Sequence, residues 1–170
     1  MSDQPKAKKP SESLTEMVQV VLPNDANPLG YLLGGTAMHL IDIAGAIAGH
    51  RHTRTPLVTA AVDGLQFLHP IKIGDLIILS ARVTATWTTS LEVEVRVFSE
   101  ETLTGRRRMT SLAYLTFVAV DRESHRLPIP GLILENDDDR RRSQEAQVRR
   151  AERLRARSIM ETRLGPILDR

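Results

Sequence analysis

One carboxylate, Asp42, and one interior imidazole, His39, stand inside "NPLGYLLGGTAMHLIDIAGAIAGH", residues 27–50, a stretch that ends on His50 and is otherwise made mostly of small and apolar residues. An unpaired buried carboxylate costs several kcal/mol, so Asp42, set among Ile41, Ile43, Ala44, Gly45 and Ala46, is either satisfied by a partner or used. A carboxylate in a partly dry site can act as a general base on water, worth about 10²–10⁴ in rate. Upstream, "LLGG" at 32–35 opens the stretch, and glycine lets a substrate come close to the backbone. An unfilled helix amino terminus there offers N–H groups and a favourable dipole to an oxygen that is becoming an anion. A base about two helical turns from an oxyanion donor is the equipment of hydrolytic acyl transfer. From the residues alone, a satisfied buried acid is an equal reading of Asp42, and Asn27 in "DANPLG" reads as a turn residue. His39 lies three residues before Asp42, on the same helix face by spacing. It reads as structural, because no serine stands in a nucleophile-elbow context to complete a relay.

These groups need a helix and a wall to hold them. The length of the apolar run predicts a helix from about Gly34 to Gly49. Its Ala and Gly content is poor for intrinsic stability, so packing must hold it. Around it the sequence is β structure. Met17–Leu22 is a first strand ended by Pro23; Leu57–Leu68 is a second, stopped by "HPIKIGD". Asp75–Trp87 follows, with Ile77, Leu79, Ala81, Val83, Ala85 and Trp87 on one face. Leu91, Val93, Val95 and Val97 alternate with Glu92, Glu94 and Arg96, which predicts one core face and one wet face. Met109–Val120 is apolar on both faces and therefore central. Residues 1–13 read as a disordered tail, 14–135 as the folded domain and 136–170 as a charged helical tail. In that tail Asp137–Asp139 suit a helix amino terminus, and Glu145 with Arg149 forms an i,i+4 pair on a solvated helix.

Bulk numbers narrow the class. A chain of 170 residues fits one domain with a real core, and its hydrophobic fraction is 41%. No run approaches the roughly 18 apolar residues of a membrane span, and the basic, polar first residues do not read as a signal peptide. There are no cysteines, which removes thiolate nucleophiles, disulfides and cysteine zinc sites. No spaced histidine and carboxylate motif suggests a metal either. The net charge is only +2, although lysine occurs solely at positions 6, 8, 9 and 72 and arginine supplies the rest of the 23 basic residues. With acidic residues interleaved among the arginines of the tail, nucleic acid is not an expected partner. The expected location is cytoplasmic.

One long helix wrapped by an antiparallel sheet is an α+β arrangement of the hotdog type. The connected set "DANPLGYLLGG", "IDIAGAIA", "RH", "VTAAVDGLQFLHPIKIGD", "TSLEVEV" and "LTFVAVD" resembles the acyl-CoA hydrolases among hotdog thioesterases, from roughly Met17 to Gly131. One departure is clear: Trp87 stands where that family usually has glycine ahead of "TS".

The resemblance implies a five-stranded sheet around a central helix and hydrolysis of acyl-CoA to free acid and coenzyme A, in fatty acid metabolism. CoA enters as part of the substrate, and no cofactor or metal is implied. It further implies a homodimer with active sites at the subunit interface, often assembled as a trimer of dimers, a hexamer. By resemblance Asp42 matches the catalytic acid, as general base or direct nucleophile, and Asn27 the catalytic asparagine. Gly34 and Gly35 would supply backbone donors, Thr59 and Ser90 would line the thioester end, and Arg106, Arg107 and Arg108 would face the CoA phosphates. Asp63, mid-strand in "TAAVDGLQF", is the rival carboxylate, expected to bond across the dimer seam. Two other functions stay open: an enoyl-thioester hydratase, whose signature would be His39 paired with Asp42, and a non-catalytic module that binds acyl-CoA and regulates through it.

Overall fold

The computed structural model describes residues 5–168. Its strands are β1 (Thr15–Val20), β2 (Leu57–Phe67), β3 (Leu76–Thr86), β4 (Ser90–Glu100) and β5 (Arg107–Ala119); its helices are α1 (Gly34–Thr53) and α2 (Asp137–Leu168). The strands form one antiparallel sheet in the order β1-β3-β4-β5-β2, so β1 and β2 are its edges and β5 lies inside, as its two apolar faces require. Helix α1 packs on one face of the sheet. The core there is built from Leu40, Ile41, Ala44 and Ala48 of the helix against Leu79, Val83, Leu91, Val93, Val95, Leu115 and Phe117 of the strands. This is the hotdog architecture.

Helix α1 runs past Gly49 to Thr53 and ends where Arg54 adopts a left-handed conformation, φ 57°, its N–H bonded to the His50 carbonyl. The glycines that suggested an earlier stop are close-approach points instead. A Cβ on Gly45 would lie 3.2 Å from two atoms of the Phe117 ring and 3.6 Å from Val95. Both neighbours belong to interior strands and are buried. Gly45→Val is therefore expected to destabilise the fold by about 1–3 kcal/mol, the usual cost of overpacking, as read from a denaturant midpoint.

The second sheet face differs from the expectation. Glu92 and Glu94 do not face water; they are 0% and 5% exposed. Helix α2 covers them, and it is not a solvated tail. Arg149 forms a two-pronged pair with Glu92, at 2.8 and 3.0 Å, while Arg142 pairs with Glu94, Arg153 with Asp63, and Arg82 of β3 with Asp139. The Arg149 guanidinium also lies 3.6 Å over the Tyr114 ring. The expected Glu145–Arg149 pair gives way to these contacts: Glu145 accepts from Arg141 at 2.7 Å. At the helix start, hydrogen bonds from Arg142 and Arg141 hold the Asp138 carboxyl down at about 2. No helix among the described residues is long and apolar enough to cross a membrane.

Disorder was also expected where the chain is tied down. The Lys8 N–H bonds Gly131 O at 3.0 Å, Lys8 O accepts from Ile133 at 2.8 Å, and Pro10–Glu12 forms a 3-10 turn. Residues 8–13 are thus part of the domain; residues 1–4 lie outside those described. The Lys8 ammonium bonds the carbonyls of Arg51 and His52 at 3.1 and 2.7 Å, capping the negative end of α1.

His52 lies fully buried in the same region, its Nε2–H directed at Pro130 O at 3.1 Å. Burial pushes its pKa below the ordinary 6.5, and the Lys8 charge adds to this. Below pH 6.5 the unfolded chain then binds a proton that the folded chain refuses. Stability is expected to hold above that pH and to fall as pH drops from 6.5 toward the folded pKa. Thermal melts across roughly pH 5–8, the range in which histidine changes charge, check this, with His52→Gln flattening the slope.

Candidate active site

Asp42 projects from the middle of α1 toward edge strand β2, where the Thr59 hydroxyl donates to its Oδ1 at 2.7 Å. Asp42 is half-buried and Thr59 exposed. Strand β2 pairs with β5 on one side, and among the described residues its other edge is unpaired. Bulges between Thr59 and Ala61 and between Asp63 and Gln66 break its register, with Gly64 at φ +66° inside the second. Such irregularities re-aim side chains at a strand edge. Met38, Val58, Val62, Phe67 and Leu68 are each about half exposed along or beside this edge. A carboxylate held by one hydroxyl, beside an open and partly apolar edge, can take a proton from a water placed there.

Asn27 and Gly34 lie in a separate cleft of about 310 Å³ at the amino terminus of α1. The Asn27 side-chain oxygen accepts from the Leu29 and Tyr31 N–H groups at 3.0 and 3.1 Å. Those bonds pin the turn and leave its –NH₂ as the group that can donate outward. The turn reading of Asn27 and an outward donor role are therefore compatible. Helix α1 begins at Gly34 with no side chain capping it, so its first N–H groups remain available. A Cβ on Gly34 would be 3.6 Å from the Phe67 ring, while Gly35 faces open space.

Asp42 does not line this cleft; it stands eight residues further along α1, about 12 Å by helical rise. One chain thus presents two half-sites: Asp42 with Thr59, and Asn27 with the glycine amino terminus. His39 is exposed, and Asp42 is bonded to Thr59 rather than to it. The cleft also includes His69 and Phe67, which sequence reasoning did not assign. The "LHP" around His69 read as strand punctuation, and its only signal was membership of a larger resemblance.

Three expectations need correction. Ser90 does not join Asp42. It is paired in register with Val118, whereas Leu91, Phe117 and Thr59 share the next row and face α1, so Ser90 points to the opposite side of the sheet. The run Arg106–Arg108 sits at the β4–β5 hairpin and does not line the Asn27 cleft; Arg106 is held by Glu101 and Arg107 by Glu100. The acidic strand ends that close this hairpin already neutralise two of the three. Asp63 bonds within its own chain, to Arg153.

The fold is that of the hotdog thioesterases, and comparison with known proteins identifies the family. The thioesterase superfamily model matches residues 29–105. The chain is 37% identical over 128 residues to the acyl-CoA thioester hydrolase YkhA of Bacillus subtilis, an uncharacterised protein, covering 75% of this chain and 74% of that one. It is 33% identical over 141 residues to the human cytosolic acyl coenzyme A thioester hydrolase, covering 82% of this chain but only 37% of that relative. Among solved structures, an acyl-CoA hydrolase from Staphylococcus aureus in complex with butyryl coenzyme A, coenzyme A and coenzyme A disulfide superposes with a TM-score of 0.85 at 34% identity, over 96% of this chain and 99% of that one. Variants of that hydrolase with an aspartate, an asparagine or a threonine changed to alanine have the same fold. An apo-hexameric acyl-CoA thioesterase superposes with a TM-score of 0.85 at 34% identity, over 89% and 97% of the two chains. The chain belongs to the hotdog-fold acyl-CoA hydrolases of the thioesterase superfamily.

Proposed function

We propose that this protein hydrolyses acyl-CoA thioesters to a free carboxylic acid and coenzyme A, with Asp42 as the reacting carboxylate. As general base, Asp42 takes a proton from water as the water oxygen attacks the thioester carbonyl. The oxyanion that forms is held by first-turn N–H groups at Gly34 and Gly35, with the Asn27 –NH₂ orienting the carbonyl or the water. Collapse breaks the C–S bond, and the thiolate recovers the proton from Asp42. In the alternative route the carboxylate attacks directly and water then cleaves the mixed anhydride. Thr59 positions the carboxylate for either. Neither route calls for a cofactor or metal.

The observation that carries the reading is the Asp42–Thr59 bond, 2.7 Å, at an unpaired strand edge. The residue types altered in the S. aureus variants are those of Asp42, Asn27 and Thr59, which supports it. Because His39 does not bond Asp42, hydrolysis is favoured over hydration of an enoyl thioester. A thiol-release assay across acyl-CoAs of increasing length tests the activity; no release with any of them would overturn it.

The half-sites also favour a homodimer. Pairing β2 with its counterpart satisfies the unpaired edge, covers the apolar rim, and brings Asp42 of one protomer toward the Asn27 cleft of the other. The hexameric relative supports further assembly into a trimer of dimers. Sedimentation is expected to show a dimer or larger species at micromolar concentration, and a folded, active monomer there would defeat the shared site. A chain without cysteine whose human relative is named cytosolic fits the cytoplasm.

A further inference from the structure

The sheet face that carries α2 holds a second, larger cleft, of about 790 Å³, between the distal half of that helix, the middle of β2, the β3–β4 turn and the adjoining ends of β4 and β5. Its lining is rich in guanidinium: Arg126, Arg150, Arg153 and Arg157, against the single carboxylate of Asp63. Arg153 takes up Asp63, and Arg157 pairs with Glu161. Among the described residues, Arg126 and Arg150 have no carboxylate partner. Arg150 instead lies 4.3 Å over the Trp87 ring, and burial together with the nearby Arg153 charge pulls its pKa below the usual arginine value. A second and independent sign is the Thr116 hydroxyl, which is buried, lines this cleft and has no hydrogen-bond partner. Two unpaired guanidiniums and an orphaned hydroxyl around one cavity describe a missing anion.

We propose that this cleft binds a phosphate-bearing organic anion of nucleotide size, held by Arg126 and Arg150. A phosphate monoester carries about −1.5 to −2 at pH 7 and so matches two guanidiniums, where a carboxylate would match one. Guanidinium forks bond phosphate oxygens in pairs. The volume is that of a whole small-molecule site, far more than inorganic phosphate needs. The cleft is also distinct from the half-site at Asp42. Thr59 faces α1, whereas Thr116 and Ser90 face α2, so the sheet itself separates the two. The same chemistry has two sources: the nucleotide end of a CoA molecule, or a free nucleotide.

Trp87 is the chain's one tryptophan and lines the cleft, so its fluorescence reports occupancy. Titration of the full-length protein with adenosine 3′,5′-bisphosphate is expected to give a saturable change, with inorganic phosphate binding far more weakly. Arg126→Gln should weaken the bisphosphate by about tenfold or more, the effect of a lost charge-assisted contact. Arg150→Gln, followed by calorimetry because it alters the surroundings of Trp87, should do the same. Inhibition of acyl-CoA hydrolysis by the bisphosphate then separates the sources. A competitive pattern assigns the cleft to the substrate's own nucleotide end, and a non-competitive pattern or none assigns it to a separate ligand. The proposal is overturned by no saturable binding up to millimolar bisphosphate, by equal affinity for inorganic phosphate, or by unchanged binding in both variants. Because binding is read without turnover, failure here leaves the hydrolase reading standing, and the reverse.

Discussion

Asp42→Asn is expected to lower kcat by about 10²–10⁴ while leaving the fold and coenzyme A affinity nearly unchanged. Asparagine keeps the shape of the side chain and still accepts the Thr59 hydroxyl hydrogen bond, 2.7 Å in the native chain. What it loses is the ability to take a proton, or to attack as a carboxylate. If Asp42 were merely a satisfied acid packed on α1, the substitution would change stability modestly and turnover hardly at all. Asp63→Asn supplies the control. That carboxylate is paired with Arg153 of α2, so its loss should loosen the helix before it touches kcat. The measurement is kcat on a good acyl-CoA for both variants, with oligomeric state checked for each. Near-native turnover in Asp42→Asn, with loss of turnover in an intact Asp63→Asn oligomer, would mean the base had been assigned to the wrong carboxylate.

What could be read from the sequence divides along the range of the interactions involved. The period-2 pattern of Leu91, Val93, Val95 and Val97 marked a strand with one core face, and those four side chains are fully buried. The small-residue run marked a closely packed helix, which Gly45 against Phe117 explains. Asp42 was visible as a carboxylate out of place, and its partner Thr59 was a candidate only through the family pattern. The failures share a cause. Glu92, Glu94 and Arg96 look like a wet face because periodicity sees only one strand, and the element that covers two of them begins only at Asp137. The arginines of α2 look like a solvated surface for the same reason. The sheet partners of Arg142, Arg149 and Arg153 lie 48 to 90 positions away in the chain, beyond any local spacing rule. The ordered segment from Lys8 is legible only once α1 has presented its carbonyls to the lysine.

A helix fastened this way leads to an inverted order of damage: Arg149→Met should hurt stability more than removing α2 altogether. Glu92 is fully buried, and the Arg149 side chain is 18% exposed. With methionine at 149 the helix still roofs the sheet, held by Arg142 and Arg153, and Glu92 keeps only the Thr84 hydroxyl, at 2.7 Å. A buried charge stripped of its partner costs about 3–5 kcal/mol. Deleting residues 137–170 instead returns Glu92 and Glu94 to water, where a carboxylate needs no partner, so only the smaller net worth of the ion pairs and packing is lost. Adding Glu92→Gln to Arg149→Met removes the buried charge and should recover most of the loss. Denaturant midpoints of the four proteins test the order, with the native chain most stable and Arg149→Met least. Should Arg149→Met fall within about 1 kcal/mol of the native protein, the pair is behaving as a surface ion pair, and α2 must be held on the sheet by its packing rather than by its charges.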